Sequence, residues 1–313
     1  MTERQIFQMI LDHRQPPRFP ADGTIQLSFV PGEHSMEPQG GYDWFGVHWT
    51  KDADGTQVVT PGTRRLTCID QWREAMPAEV NESEMRKYGL LAQAGYDREH
   101  CVQIVGIQSG HFERMQNLVG FEDALVAFYE YPEEIDALFE ALTAYKIEQF
   151  HQIKAYYNPD IISPHDDWGT NLNMFFSPEM WRRFLKPHVK RMVEAAHALG
   201  MRYEQHTCGY VTPLVEDLVE IGVDMLEIQS VNDLAYIKRK FGTQIVLRGC
   251  FNGQLLSAPG VTEAEVREEV RRTLDLCAAG GGFIAQKVWG VRDPALQAAI
   301  FDEFQTYAAE HYG

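Results

Sequence analysis

From about residue 100 onward the chain repeats one unit: a short apolar run, a polar turn, then an amphipathic stretch long enough for a helix. The apolar runs are Cys101 to Ile107, Ile161 to Pro164, Met201 to Thr207, Met225 to Gln229, Gln244 to Gly249 and Phe283 to Val288. Parallel strands are buried on both faces and read as near-continuous apolar runs, and each needs a crossover helix to bring the chain back to the starting end. The intervening stretches supply those helices: Glu122 to Tyr157 with a break near Pro132, Pro178 to Leu199, Pro213 to Ile221, Asn232 to Phe241, Thr262 to Ala279 and Pro294 to His311. Ser177-Pro178-Glu179 and Thr262-Glu263 are ordinary helix starts, a side-chain acceptor followed by Pro or Glu.

This pattern confines the fold to the α/β class, as an open doubly wound sheet or a closed barrel. A length of 313 residues with 44% apolar side chains suits one large core. We therefore expect a single (β/α)8 TIM-type barrel over residues 1–313, with regular βα units in 101–313 and an N-terminal extension with the first strands in 1–100. In that extension Thr24 to Pro31 has strand character, whereas Gly32 to Leu66, with its GGYDWFGVHWTKDADG run, reads as long loops covering the barrel mouth. No internal repeat and no low-complexity linker divides the chain.

Charge narrows the partners. Lys and Arg number 28 against 45 Asp and Glu, a formal charge of −17, and such a surface repels nucleic-acid phosphate and anionic membrane. A small molecule or a basic protein patch is the expected partner. No run of about 18 apolar residues appears, and the start, MTERQIFQMILDHRQ, is too polar for a signal peptide. Together these predict a cytoplasmic enzyme, and its five cysteines, odd in number and without framework spacing, predict free thiols. Phosphate-loop, dinucleotide, lipase-elbow and HExxH motifs are absent. Gly280-Gly281-Gly282 precedes a strand and reads as a tight turn.

The most informative stretch is Tyr203-Glu204-Gln205-His206-Thr207-Cys208-Gly209, which places its last residues at the carboxyl end of a strand, where α/β enzymes hold their sites. Residues two apart on a strand share a side, so His206 and Cys208 present imidazole and thiolate together, a pair suited to zinc. By itself an H-x-C pair is more often packed at a strand end than bound to metal. Cys250, two strands on, is the leading third ligand, weighed equally against a small buried hydrophobe. Glu204 and Glu227 are fallback oxygen ligands.

A second constellation is His165-Asp166-Asp167-Trp168-Gly169, again just past a strand. Asp166 and Asp167 are candidate catalytic carboxylates, one of which is expected only to cap the local turn. Trp168 and the aromatics Trp44, Phe45, Trp49, Phe175, Phe176, Trp181 and Trp289 are candidates for lining a ring-binding pocket, most of them being core. Candidate substrate contacts are His165, Trp168, Trp44, Trp289, Gln229 and Glu227.

The runs HDDWGTNLNMFFSPEMWRRFLKPHVKRMVEAAHALGM and HTCGYVTPLVEDLVEIGVDMLEIQS, with YDWFGVHW upstream, resemble the uroporphyrinogen decarboxylase superfamily from about residue 40 onward, and most closely its corrinoid-dependent methyltransferase branch. The resemblance implies that the H-x-C-G element, here His206-Thr207-Cys208-Gly209, supplies zinc ligands, and it turns the weighing of that pair toward metal. It also implies transfer of a methyl group from a small methylated substrate to the cobalamin (corrinoid) cobalt of a separate corrinoid protein, with a methoxylated aromatic preferred and zinc as Lewis acid.

Two departures qualify that reading. The chain lacks the RQAGR-type and FSD-type segments of true decarboxylases, and it has no cysteine in Phe283 to Gly290, where thiol-methylating members place a ligand. A corrinoid-independent decarboxylase or lyase, and a metal-free binding protein, stand as alternatives. Assembly as a homo-oligomer is left open.

Overall fold

The computed structural model describes residues 1–52, 55–288 and 290–312. Among these residues ten strands form two sheets: β1 (Ile25–Phe29), β2 (Gly41–Tyr42), β3 (His48–Lys51), β4 (Gln57–Val59), β5 (Val102–Ile107), β6 (Ile161–Pro164), β7 (Arg202–His206), β8 (Met225–Ile228), β9 (Val246–Gly249) and β10 (Phe283–Ile284). The larger sheet is parallel throughout, in the order β1-β5-β6-β7-β8-β9-β10. Each run expected to be a strand contains one, the last only over Phe283–Ile284, and Pro132 separates the helices Phe121–Glu130 and Pro132–Tyr156 as its ring requires. The Pro178 to Leu199 stretch divides in the same way, into Pro178–Phe184 and Lys186–Ala198.

Side chains alternate between two apolar clusters with the period of two that strands impose. Val105, Ile107, Ile162, Tyr203, Leu226, Ile228 and Leu247 face the helices in one cluster. Val102, Ile104, Ile161, Met225, Val246 and Ile284 face inward in the other, where they meet Phe7, Ile10 and Leu11 of the helix Glu3–Leu11. One helix sharing an inward cluster with residues of five strands fits a sheet that curls around it. That helix, opened by a Thr2/Gln5 capping box, stoppers the end of the barrel where the strands begin.

The eight-stranded closed barrel is corrected to a curled sheet of seven parallel strands among the described residues, with β1 and β10 at its two edges. The last strand is short because the chain leaves the ladder after Ile284, and Gln286 then turns its amide to Glu227. The Gly32 to Leu66 segment is not all loop either. It folds β2, β3 and β4 into an antiparallel sheet, fastened to the flanking helices by buried charge: Arg114 pairs with Asp43 at 2.6 Å and Glu33 at 2.9 Å, and Lys146 reaches Glu33 at 3.3 Å. Buried ions persist only when paired in this way.

Register then sets the layers of the barrel interior. His206 lies opposite Glu227, Glu227 opposite Arg248, and Met225 opposite Val246. Apolar residues fill the end at which the strands start. One pleat further toward the carboxyl ends the inward positions become charged.

Candidate metal centre

The centre is built from the ends of three neighbouring strands. His206 closes β7, Glu227 lies in β8, and the His165-Asp166-Asp167 run follows β6, with His165 bridged to His206. The imidazoles of His165 and His206 stack at 4.1 Å and 23°. Nδ1 of His206 lies 2.9 Å from Glu227 Oε2, and because a carboxylate only accepts, that nitrogen carries the proton. Nε2 faces Cys208 Sγ at 3.6 Å and Asp167 Oδ1 at 3.8 Å, and its lone pair opens to an ion once its own proton is lost.

Those three atoms lie within 4.8 Å of one another. A tetrahedral zinc with ligand bonds of roughly 2.0–2.3 Å separates its donors by about 3.3–3.6 Å, so the set needs only a small contraction to close on an ion. A hydrogen bond from the far ring nitrogen to a carboxylate is also the usual support of a metal-bound histidine. The residues present therefore fit zinc, with His206, Cys208 and Asp167 as the holding groups. His165, His206 and Glu227 also fall within 4.8 Å of one another, but Glu227 is committed elsewhere.

Arg248 is the reason. Its guanidinium, 2% exposed, is bound by Glu204 and Glu227, and it donates to Gln286 Oε1 at 2.7 Å while Gln286 donates to Glu227 at 3.1 Å. Burial alone would raise the Glu227 carboxyl, but Arg248 and His206 outweigh it and hold Glu227 far below the usual carboxylate range. Burial would likewise lower His206, and Glu227 and Cys208 more than reverse it. His165, buried beside His206, is pushed well below the ordinary histidine value and stays neutral. Burial raises the Cys208 thiol.

Several expected site residues take other parts. Both Asp166 oxygens accept from the backbone N–H groups of His111, Phe112 and Glu113, so this carboxylate caps the helix His111–Val119, and burial lifts it to about 6. Of the two aspartates it is the one that only caps. Asp167 accepts from the Cys208 N–H at 2.7 Å and faces the centre. Cys250 does not join His206 and Cys208: its buried thiol sits 3.7 Å from the Arg248 carbonyl, and the third group within reach of that pair is Asp167. The strand has ended at Gly249, and positive φ at Gly249 and Cys250 swings the thiol off the inward line.

Glu204 is bound by Arg248 and by Ser163, whose hydroxyl donates at 2.7 Å, and is thereby withdrawn from any metal. Trp168 is wholly buried edge-on against Trp181 and offers no free face to a ring, and Trp44 lies over Gly32 with its Nε1–H on Glu84, outside the described cavity lining. Gln229 accepts from the Gly209 N–H at 3.0 Å and lines the cavity. Trp289 lies outside the described residues.

Two participants carried no motif. Arg248 was visible as a lone cation in an apolar strand, a signal that a buried anion waits opposite. Glu113 had no signal. It is pushed well above the carboxylate range by burial and by Asp167 and Asp166.

A cavity of about 440 Å³ opens above these groups. His206, Cys208 and Glu227 lie on one side and Phe251, Val288 and Lys287 on others. Its described lining falls between residues 171 and 290, so the N-terminal sheet contributes none of it. The turn under Cys208 depends on Gly209: at φ +81° an added Cβ would stand 2.1 Å from the Gly169 carbonyl oxygen, a backbone atom with no room to yield. We expect Gly209→Ala to cost about 2–4 kcal/mol in denaturant unfolding and to reduce metal retention with it.

Comparison with known proteins agrees with this architecture. The solved methyltransferase from Methanosarcina mazei superposes with a TM-score of 0.73 over 100% of both chains at 16% identity, which shows a shared fold. Curated relatives include the uroporphyrinogen decarboxylases of Pelobacter propionicus, 26% identical over 185 residues that cover 59% of this chain and 49% of that protein, and of Thermus thermophilus, 28% identical over 181 residues that cover 58% and 48%. The chain thus spans about half the length of the curated relatives it matches. The profile of the family described as Uroporphyrinogen decarboxylase (URO-D) matches residues 74–291, which include every residue of the centre. By that match the chain belongs to the uroporphyrinogen decarboxylase family.

Proposed function

We propose that this protein is a methyltransferase that takes a methyl group from a small methylated compound, preferably a methoxylated aromatic, and passes it to the cobalt of a corrinoid carried by a separate protein. The observation that carries the proposal is the convergence of His206 Nε2, Cys208 Sγ and Asp167 Oδ1 beside a cavity at the carboxyl ends of the strands. A shared fold with a protein described as a methyltransferase supports it.

Zinc held there supplies Lewis acidity to the heteroatom that loses its methyl group. The protein's own part is positional. Glu227 fixes the protonated nitrogen of His206, Arg248 and Gln286 fix Glu227, and the Cys208 N–H holds Asp167. Ile228, Phe251 and Val288 form an apolar wall that suits a ring and keeps water from the methyl carbon. As the carbon–heteroatom bond breaks, its electron pair stays on the heteroatom, which takes up a proton, while the methyl group leaves for cobalt(I).

Purified protein mixed with reduced corrinoid protein and a panel of methoxyarenes, methylamines and thiols tests this directly. Spectral conversion of cobalt(I) to methylcobalt(III) with one of them supports the proposal. No conversion with any, together with substrate loss in the absence of corrinoid, favours the decarboxylase or lyase reading to which the curated relatives point. A smaller effect is expected one bond away from the metal: Glu227→Gln should weaken zinc binding by about 10–100-fold, read by competition with a chromophoric chelator.

A further inference from the structure

We infer that the substrate of this cavity carries a carbonyl-type oxygen, held by the side-chain NH2 groups of Gln229 and Asn252. Both residues line the cavity beyond the ends of neighbouring strands, Gln229 directly after β8 and Asn252 in the turn after β9. The orientation of each amide is set by a backbone group. Gly209 N–H lies 3.0 Å from one end of the Gln229 amide, and Leu255 N–H lies 3.1 Å from one end of the Asn252 amide. A backbone N–H only donates, so the end it meets is the oxygen and the other end is the NH2. Among the described residues, nothing accepts from either NH2 group.

Neighbouring amides with a structural role use both of their ends. Gln286 accepts from Arg248 and donates to Glu227, and Asn232 accepts from Val211 N–H while donating to the carbonyls of Gly209 and Gln229. Those bonds also anchor the backbone of Gln229, and the Asn252 N–H is anchored on Glu269 at 2.7 Å. Asn171 and Gln254 line the cavity too, but they are exposed with neither end held. Gln229 and Asn252 are therefore the two amides that are fixed and still have donors to give. The first stands on the residue after Cys208, and the second follows Phe251 of the apolar wall. A ligand without an acceptor on this side would cover those donors and leave them unpaired, at a cost of about 1–3 kcal/mol each. One with a carbonyl oxygen satisfies them and has its apolar part set against the wall.

This inference rests on the methyl-transfer reading for what happens to the substrate, but not for what binds. The test compares the three methoxyacetophenones with the methoxy-isopropylbenzenes of the same ring positions, in which a methyl group replaces the carbonyl oxygen. Zinc-loaded protein is titrated with each by calorimetry and assayed for methyl transfer to corrinoid protein. For at least one ring position the ketone is expected to bind about tenfold more tightly than its hydrocarbon counterpart. Gln229→Glu and Asn252→Asp keep the oxygen that the backbone N–H groups need and replace the NH2 with a second acceptor. Each should lower the ketone-to-hydrocarbon ratio by about threefold or more, and the double variant should bring it to parity or below. A variant that merely loosened the fold would weaken both probes and leave the ratio where it was. Binding of no ketone more tightly than its counterpart by the native protein, or a ratio that survives the double variant, overturns the inference. Ketone preference without methyl transfer upholds the inference while removing the proposed function. Methyl transfer without ketone preference does the reverse.

Discussion

His206→Ala is expected to leave the protein folded and without its metal: elemental analysis should find about one zinc per chain in the native protein and less than a tenth of that in the variant. The imidazole is the one group shared by both arrangements of potential ligands among the described residues, with Cys208 and Asp167 on its Nε2 side, Glu227 at Nδ1 and His165 stacked on its ring face. Cys208→Ala should lose metal almost as fully, because thiolate is the strongest zinc donor of the three. Methyl transfer should fall at least about a hundredfold in either variant if the metal polarises the leaving atom, and metal removal that left transfer intact would dismiss that role.

The same titration repeated across pH carries its own sign. In the metal-free protein the Cys208 thiol lies above its ordinary value and His206 is held protonated. Zinc must displace those protons, so affinity should rise with pH through the neutral range, by about tenfold per unit for each proton released. Affinity that was flat with pH would mean the ligands are already deprotonated.

The second large effect lies beneath the centre. Arg248→Met should destabilise the protein by about 3–5 kcal/mol in denaturant unfolding, since it leaves Glu204 and Glu227 buried without their cation. Most of that loss comes from the stranded carboxylates. Adding Glu204→Gln to Arg248→Met should therefore recover part of the stability, as a neutral amide replaces the more deeply buried of the two anions. If the double variant is less stable than Arg248→Met alone, the network is not an ion-pair cluster of this kind. Because Glu227 also holds His206, the single variant should lose zinc affinity too, which a lesion confined to packing elsewhere in the barrel would not cause.

The course of the chain was legible where local chemistry decides it. Each apolar run became a strand, and Pro132 and Pro294 open helices as their fixed φ and missing N–H dictate. Legibility failed where an element is stabilised by partners distant in sequence. The short strands β2 to β4 hold their place through Arg114 and Lys146, which arrive from helices more than 50 residues further on. The stoppering helix Glu3–Leu11 is short and amphipathic, with nothing local to show that it ends inside the barrel.

The candidate site divides along the same line. Alternation along a single strand determined from sequence alone that His206 and Cys208 face the same way, because the period of two is a property of the backbone itself. Which third group meets them is a matter of register between strands and of the path each loop takes on leaving the sheet. Only the tertiary structure could turn Cys250 away at a positive φ, use up Asp166 on three helix N–H groups, and bring Asp167 to the centre. Two adjacent aspartates look alike in a sequence. Their roles separate when one finds the end of a helix and the other finds a histidine.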